Sequence, residues 1–315
     1  MVPTLSIIIV NWNTGELLRD CLRSIARETA AVAHEIIVVD NASTDGSAEL
    51  VRREFPAVRL IASGANRGYA AGNNLALPIA RGDFLALLNP DTLIADRALE
   101  RLVDFLIARP QAGAVGPQLL DPAGRYAIRN GGWQPTLGTI LAHASGVSRL
   151  TSGRVRGLHT IADRRQRVGW LSGACLVVRR ATAESVGPLH EDWFLYAEDV
   201  EWCDRIGRRS WELWYEPAAC VVHLDRSSTR QRGGRFSTLW IQGLHHHYAR
   251  RTRAGRPRLL LFDAILAAGL LSRTPFYLAR AIAPRRAGQR PEWRAEAESF
   301  ARGAYEVVRL GWRGR

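Results

Sequence analysis

Two short, strongly apolar runs, Leu5–Val10 (LSIIIV) and Glu35–Asp40 (EIIVVD), constrain this chain more than any other feature. Neither alternates apolar with polar residues, so each reads as a strand covered on both faces, as in parallel α/β sheets. Between them Leu17, Leu18, Cys21, Leu22 and Ile25 repeat at helical spacing. After Asp40 come a turn and a helix through Phe55, a short strand Arg59–Ala62, a helix Gly72–Ala80 and a fourth strand Phe84–Leu88. Strands and helices in alternation with short links imply a mainly parallel sheet with right-handed crossovers. Ligands of such sheets bind beyond the carboxyl ends of the strands, which directs attention to Asn11, Asp40 and the Asn89–Asp91 turn.

Beyond residue 95 the pattern is mixed. A helix over 96–108 precedes a strand at Ala114–Val115, and a stretch with little periodicity fills 121–167. A strand Ala174–Val178, a helix around Glu198–Arg209 and a strand ending at Val222 follow. The division this suggests is a first half over 1–95, a second half of the same domain over 96–232, and an extension over 233–315.

Charge separates the extension from the rest. Residues 226–315 hold 19 Arg against 5 acids, whereas residues 1–225 hold 24 Arg against 25 acids. The pI of about 10.7 invites a nucleic-acid-binding reading, but the excess is confined to the tail and no nucleic-acid motif is present. A Rossmann-type oxidoreductase lacks its GxGxxG after Leu5–Val10. The apolar content of 47% supports a substantial core. Cys21, Cys175, Cys203 and Cys220 form no CxxC pair, so reduced thiols in a cytoplasmic protein are expected. No secretory pattern opens the chain. In the tail, Leu259–Leu271 is too short to span a bilayer and contains Asp263, and Phe276–Ala283 contains Arg280. Arg-flanked apolar pieces of this kind fit attachment to an anionic membrane surface, and equally helices packed on protein.

Six segments in fixed order carry a resemblance: VVDNASTDGS (38–47), NRGYAAGNN (66–74), LLNPDT (87–92), SGACLVVRR (172–180), FLYAEDVEWCDR (194–205) and VVHLDRSST (221–229). Together they resemble family-2 glycosyltransferases of the GT-A fold, and among these the rhamnosyltransferase-like enzymes of bacterial surface polysaccharides. The resemblance spans roughly residues 4–250. It implies a Rossmann-like, mainly parallel mixed sheet flanked by helices, here with a basic helical C-terminal extension. It further implies an inverting transfer of one sugar from a dTDP- or UDP-sugar to a glycan or lipid-linked hydroxyl, with Mg²⁺ or Mn²⁺ as cofactor.

Each motif has a plainer alternative. Asp40 ends a strand where a carboxylate can meet a base or ribose, or can serve as an Asx-turn or cap; the resemblance favours contact with the nucleotide. Asn66, Arg67, Gly68 and Asn73, with Asn11 and Asn89, would line the donor site by resemblance. On their own, the small residues Ala70, Ala71 and Gly72 before a helix suit either a phosphate or tight packing. Asn89-Pro90-Asp91 stands where the family carries a DxD-type metal motif, with Asn in the first position. His223, after a late strand, matches the family's metal-binding His and would complete the shell of Asp91, although a lone His is more often a core residue. Asp199, the second acid of the Glu198-Asp199 pair, matches the family's catalytic base; the alternative is a helix-capping acid. His245–His247 lacks metal-ligand spacing and reads as a solvated helix face. No QxxRW motif of processive synthases is present, since Gln231 and Arg235-Phe236 are wrongly spaced.

Overall fold

The apolar runs become the strands expected of them. In the computed structural model, which describes residues 3–128, 130–151, 155–159, 164–224, 238–282 and 290–313, the first elements alternate strictly. They are β1 (Leu5–Asn11), α1 (Gly15–Glu28), β2 (His34–Asp40), α2 (Ser47–Glu54), β3 (Arg59–Ala62), α3 (Tyr69–Ala76), β4 (Phe84–Leu88) and β5 (Thr92–Ile94). There follow α4 (Ala98–Ile107), β6 (Ala112–Leu120), β7 (Tyr126–Ile128), β8 (Gly131–Gly132), α5 (Leu137–Ala144) and α6 (Val147–Leu150). Next come β9 (Gln166–Val168), β10 (Trp170–Leu171), β11 (Cys175–Arg179), α7 (Arg180–Val186), α8 (Glu198–Arg208) and β12 (Glu212–His223). The remainder is helical: α9 (Thr238–Thr252), α10 (Arg256–Leu271), α11 (Thr274–Ile282) and α12 (Arg290–Arg313). Residues 225–237, with the end of the last motif and the Gln231–Phe236 segment, lie outside the described residues, as does Ala283.

Two compact units emerge, residues 1–132 with 160–227 and residues 133–159 with 228–315. The first unit is built on a sheet in the order β3-β2-β1-β4-β11-β6-β12-β5. Strands β3, β2, β1 and β4 run parallel; β11 is antiparallel to β4 and β6, β12 is parallel to β6, and β5 is antiparallel to β12. One sheet edge therefore collects the carboxyl ends of β1, β2, β4 and β12 and the amino ends of β11 and β5. Alternate residues of β1 feed two clusters, Leu5, Ile7 and Ile9 one and Ile8 and Val10 the other. That is why its pattern shows no polar face.

Four elements differ from expectation. Helix α3 starts at Tyr69, not Gly72, so Ala70, Ala71 and Gly72 lie inside its first turn. Gly68 supplies the break, at φ 91°, a backbone region that side-chain-bearing residues avoid. Strands β6 and β12 are longer than their apolar cores, and β12 is interrupted by a register shift between Glu216 and Cys220, around Pro217. Helix α7 carries no apolar periodicity and had no sequence signal.

In the second unit, Ile140, Leu158, Ile241, Leu244, Tyr248, Phe262, Leu266 and Leu270 share one cluster with Ala304 and Val307. Ile140 and Leu158 thus pack with the C-terminal helices. Tyr248 stacks on Phe262 with ring centroids 3.9 Å apart. His245 and His247 correct the expectation of a solvated face, since both are buried. Ile241, Leu244, His245 and Tyr248 form one inward stripe at helical spacing. His245 Nδ1 lies 2.7 Å from Asp263 Oδ1, and His247 Nε2 lies 2.9 Å from Gln134 Oε1, so each buried imidazole has a polar partner.

Candidate active site

Asp40 is fixed from both oxygens. Buried at the end of β2, it accepts from Asn11 Nδ2 (3.1 Å) through Oδ1 and from the Ser43 backbone N–H (3.0 Å) through Oδ2. Asn11 is itself held by Thr14 Oγ1 donating to its Oδ1 at 2.6 Å, and it has no exposed surface. Its side chain thus holds Asp40 in place. Next in line, Asn41 donates through Nδ2 to Asn66 Oδ1 (2.9 Å) and to the Gly68 carbonyl (3.1 Å). The Gly68 N–H closes the loop on Asn66 Oδ1 at 3.1 Å. Arg67 points away into an exposed ion pair with Glu191 at 2.9 Å. Asn73 is buried in α3 and donates to the Tyr69 carbonyl at 2.9 Å.

The Asn89–Asp91 turn leaves β4 beside the end of β12. Register places Thr92 opposite His223, which brings His223 Nε2 to 3.3 Å from Asp91 Oδ1, with both side chains buried. Asn89 N–H donates to the Ala174 carbonyl at 3.0 Å, tying this turn to the start of β11. Cys21 lies 3.8 Å from the Asn89 carbonyl, but burial pushes its thiol up to about 12, so it stays protonated. One carboxylate and one imidazole in contact are a donor pair for a divalent cation that takes its remaining ligands from phosphate oxygens and water. Among the described residues no third His, Cys, Asp or Glu joins them. The pair fits a cation shared with a substrate diphosphate better than a closed structural site.

Helix α8 presents the two acids. Tyr196 (φ 71°) and Ala197 (φ 77°) are both left-handed, an unfavourable pair of non-glycine residues that turns the chain sharply into Glu198. Asp199, partly exposed, accepts from the Gly173 N–H and the Val200 N–H, each at 2.8 Å. Tyr69 OH donates to the Gly173 carbonyl at 2.7 Å, and a Cβ on Gly173 would stand 2.7 Å from that oxygen. Only glycine lets the ring approach. Glu198 is buried and its Oε2 has no hydrogen-bond partner. Burial, then repulsion by Asp199, raises Glu198 well above the ordinary carboxylate range. Burial raises Asp199 as well, against the pull of its two backbone donors. Two backbone donors to Asp199, on Gly173 and Val200, favour its anion more than the surroundings of buried Glu198 favour that of Glu198, so of the two acids Asp199 ionises the more readily.

The sequence residues thus gather at one edge. Asp40, Asn66, Gly68, Asn89, Asp91, Asp199 and His223 are linked through backbone or side-chain bonds or through strand register, while Arg67 and Asn73 turn elsewhere. Sequence reasoning quoted Asn41, Ser43, Tyr69, Gly173 and Glu198 within its motifs but gave them no role of their own. Gly173 had a signal in its motif, and Tyr69 stood between quoted positions, but their pairing spans 104 residues of chain.

Comparisons with known proteins bear on the family and the fold. The family model for glycosyl transferase family 2 matches residues 6–156. An N-acetylglucosaminyl-diphospho-decaprenol L-rhamnosyltransferase of Mycobacterium tuberculosis is 31% identical over 255 residues, covering 73% of this chain and 78% of the relative. A low-salt glycan biosynthesis hexosyltransferase of Haloferax volcanii is 26% identical, covering 71% and 68%. Among solved structures, a mannosyltransferase from Pyrobaculum calidifontis in complex with GDP-Man and Mn²⁺ superposes with TM-score 0.62 at 21% identity, covering 100% of this chain and 89% of that one.

Proposed function

We propose, on the premise that this chain belongs to glycosyl transferase family 2, that it adds one rhamnose-type sugar from a dTDP- or UDP-sugar to a lipid-linked glycan acceptor, inverting the anomeric centre. The chain is a glycosyltransferase of cell-surface polysaccharide synthesis with the GT-A fold. The observation that carries the finer reading is the start of β11. Gly173 N–H holds Asp199, and the adjacent Ala174 carbonyl holds the Asn89–Asp91 turn, so base and diphosphate site share one rigid piece of backbone.

In this reading residues 1–95 bind the nucleotide sugar and residues 96–232 hold the acceptor. Asp40, locked by Asn11 and Ser43, accepts hydrogen bonds from the base or ribose. The Asn66–Asn41–Gly68 loop and the Asn89 backbone shape the wall of the donor pocket. Asp91 and His223 would hold Mg²⁺ or Mn²⁺, which when bound offsets charge on the leaving diphosphate. Asp199 accepts the proton of the acceptor hydroxyl as that oxygen bonds to the anomeric carbon and the sugar–diphosphate bond breaks. The proton ends on Asp199 Oδ, and the single displacement inverts the centre. No second carboxylate acts as nucleophile, unlike in retaining glycosidases. Work on a lipid-linked acceptor places the enzyme at the cytoplasmic membrane face.

A thermal-shift screen of dTDP-, UDP- and GDP-sugars with Mn²⁺ tests the donor. A ligand at 100 times its Kd adds about 2.7 kcal/mol to stability, so the true donor stands out. Transfer to a polyprenyl-diphosphate-GlcNAc analogue, read by mass spectrometry, then tests the acceptor. Absence of any shift across the panel removes the donor assignment.

A further inference from the structure

Fifteen large apolar side chains are exposed among the described residues, and twelve of them belong to the second unit, which holds little more than a third of the chain. Six of the twelve lie on α10 and α11. On a helix facing water the outward stripe is polar. On α10 it is apolar: Leu260, Leu261, Ala264, Ala268 and Leu271 follow one another at helical spacing on the exposed side, and Phe276 of α11 continues them. Leu261, Leu271 and Phe276 are 50%, 52% and 54% exposed. The only acid of α10, Asp263, is turned inward and bonded to His245 at 2.7 Å. What interrupts the apolar run in sequence is therefore absent from its outer surface.

We propose that this outward stripe lies in the plane of an anionic membrane leaflet, dipping into the acyl boundary. It deepens the reading above and rests on it for its purpose, since an acceptor carried on lipid is met at a membrane. By composition Arg256–Ile282 is long and apolar enough to cross a bilayer. Crossing would strip Phe262, Leu266 and Leu270 from the core and expose the Asp263–His245 pair to lipid. α10 itself, at about 1.5 Å per residue, is shorter than the roughly 30 Å hydrocarbon layer. An in-plane helix keeps its inner face folded and loses only the exposure of its outer one. Charge selects the occupant. Arg256 and Arg258 stand exposed at one end and Arg280 at the other, in a tail of 19 Arg against 5 acids. That surplus attracts anionic headgroups and opposes a second copy of the same surface.

Flotation of the full-length protein with vesicles of phosphatidylglycerol and phosphatidylcholine, against phosphatidylcholine alone, tests the proposal without donor or acceptor. Binding to the anionic vesicles at low salt is expected, weakening as salt rises. The double substitution Leu261→Asp with Phe276→Asp should lower the bound fraction about tenfold or more, because two apolar anchors are lost. Both positions are exposed, so an unchanged melting temperature should accompany the loss. Three results overturn the idea: a protein that stays soluble at low salt, a variant that floats like the parent, or a lipid-free dimer that the variant splits. Resistance of the bound protein to alkaline carbonate extraction would also overturn it, in favour of a spanning helix. Because no nucleotide sugar enters the assay, its failure leaves a positive donor thermal shift standing, and the converse holds.

Discussion

Glu198 and Asp199 are adjacent acids that burial raises alike, and two backbone N–H groups on Asp199 favour its ionisation over that of Glu198. Asp199→Asn keeps both acceptor contacts through its carbonyl oxygen only in part and cannot take a proton, so transfer should fall by about 10²–10⁴. Donor binding, read by thermal shift, should remain; its loss would move Asp199 to the donor site. Because burial raises the Asp199 carboxyl, the acid limb of kcat/KM should lie above the ordinary aspartate range. Glu198 is linked to stability. A carboxyl raised in the fold contributes stability below its unfolded pKa and loses it as pH rises through the folded value. Glu198→Gln should therefore gain melting temperature relative to the parent at pH 8 over pH 5; an equal or reversed difference removes the buried, protonated Glu198 from the account. At the metal pair, Asp91→Ala or His223→Ala should each weaken the Mn²⁺-dependent part of donor binding by an order of magnitude or more, on the order of the loss when a metal's supporting groups are removed. Full activity of the parent in excess chelator would defeat this.

At the level of elements, the parallel half of the sheet was legible because β1, β2 and β4 are dominated by apolar residues and lead into polar ones at Asn11, Asp40 and Asn89. The antiparallel half was not. β12 is broken around Pro217, and β6 takes its length from pairing with β12 and β11 rather than from its own pattern. The site shows the same division. Asp40, Asp91 and Asp199 sit at element ends and could be read, whereas Glu198's burial and Tyr69's bond to Gly173 arise only when distant segments meet. The loop before α3 gives the sharpest test. A Cβ on Gly68 would stand 2.2 Å from the Phe194 carbonyl oxygen, and the Gly68 φ of 91° already excludes most side chains. Gly68→Ala should cost roughly 2–4 kcal/mol in urea unfolding. Tyr69 N–H also donates to that carbonyl at 3.2 Å, joining the donor loop to the segment that leads into Asp199. The same substitution should thus lower kcat more than it weakens donor binding. A variant that loses neither stability nor turnover would show that the two loops are independent.

Across the whole chain, the sequence reading drew its last boundary from charge, whereas the folded units follow the apolar clusters. Residues 133–159 carry too few periodic apolar positions to declare their partner, and Ile140 and Leu158 find it only in the C-terminal helices. No residue of that cluster appears in the two clusters of the sheet unit, so the units have separate cores. Separate cores imply separable stability. Asp263 probes this because it is buried, bonded to His245, and its Oδ2 has no hydrogen-bond partner. Removing one member of a buried polar pair strands the other, at about 3–5 kcal/mol. Asp263→Ala should therefore accelerate amide exchange in residues 133–151 and 238–313 while β1, β2 and β4 keep their protection. Replacing both partners, with His245→Phe and Asp263→Leu, should recover much of the loss, since an apolar pair leaves nothing unpaired. If β1, β2 and β4 lose protection in step with the helices in the single variant, the two cores unfold as one and the division into independent units is wrong. If the double variant is no better than the single, the pair holds the helices by its hydrogen bond rather than by avoiding an orphaned charge.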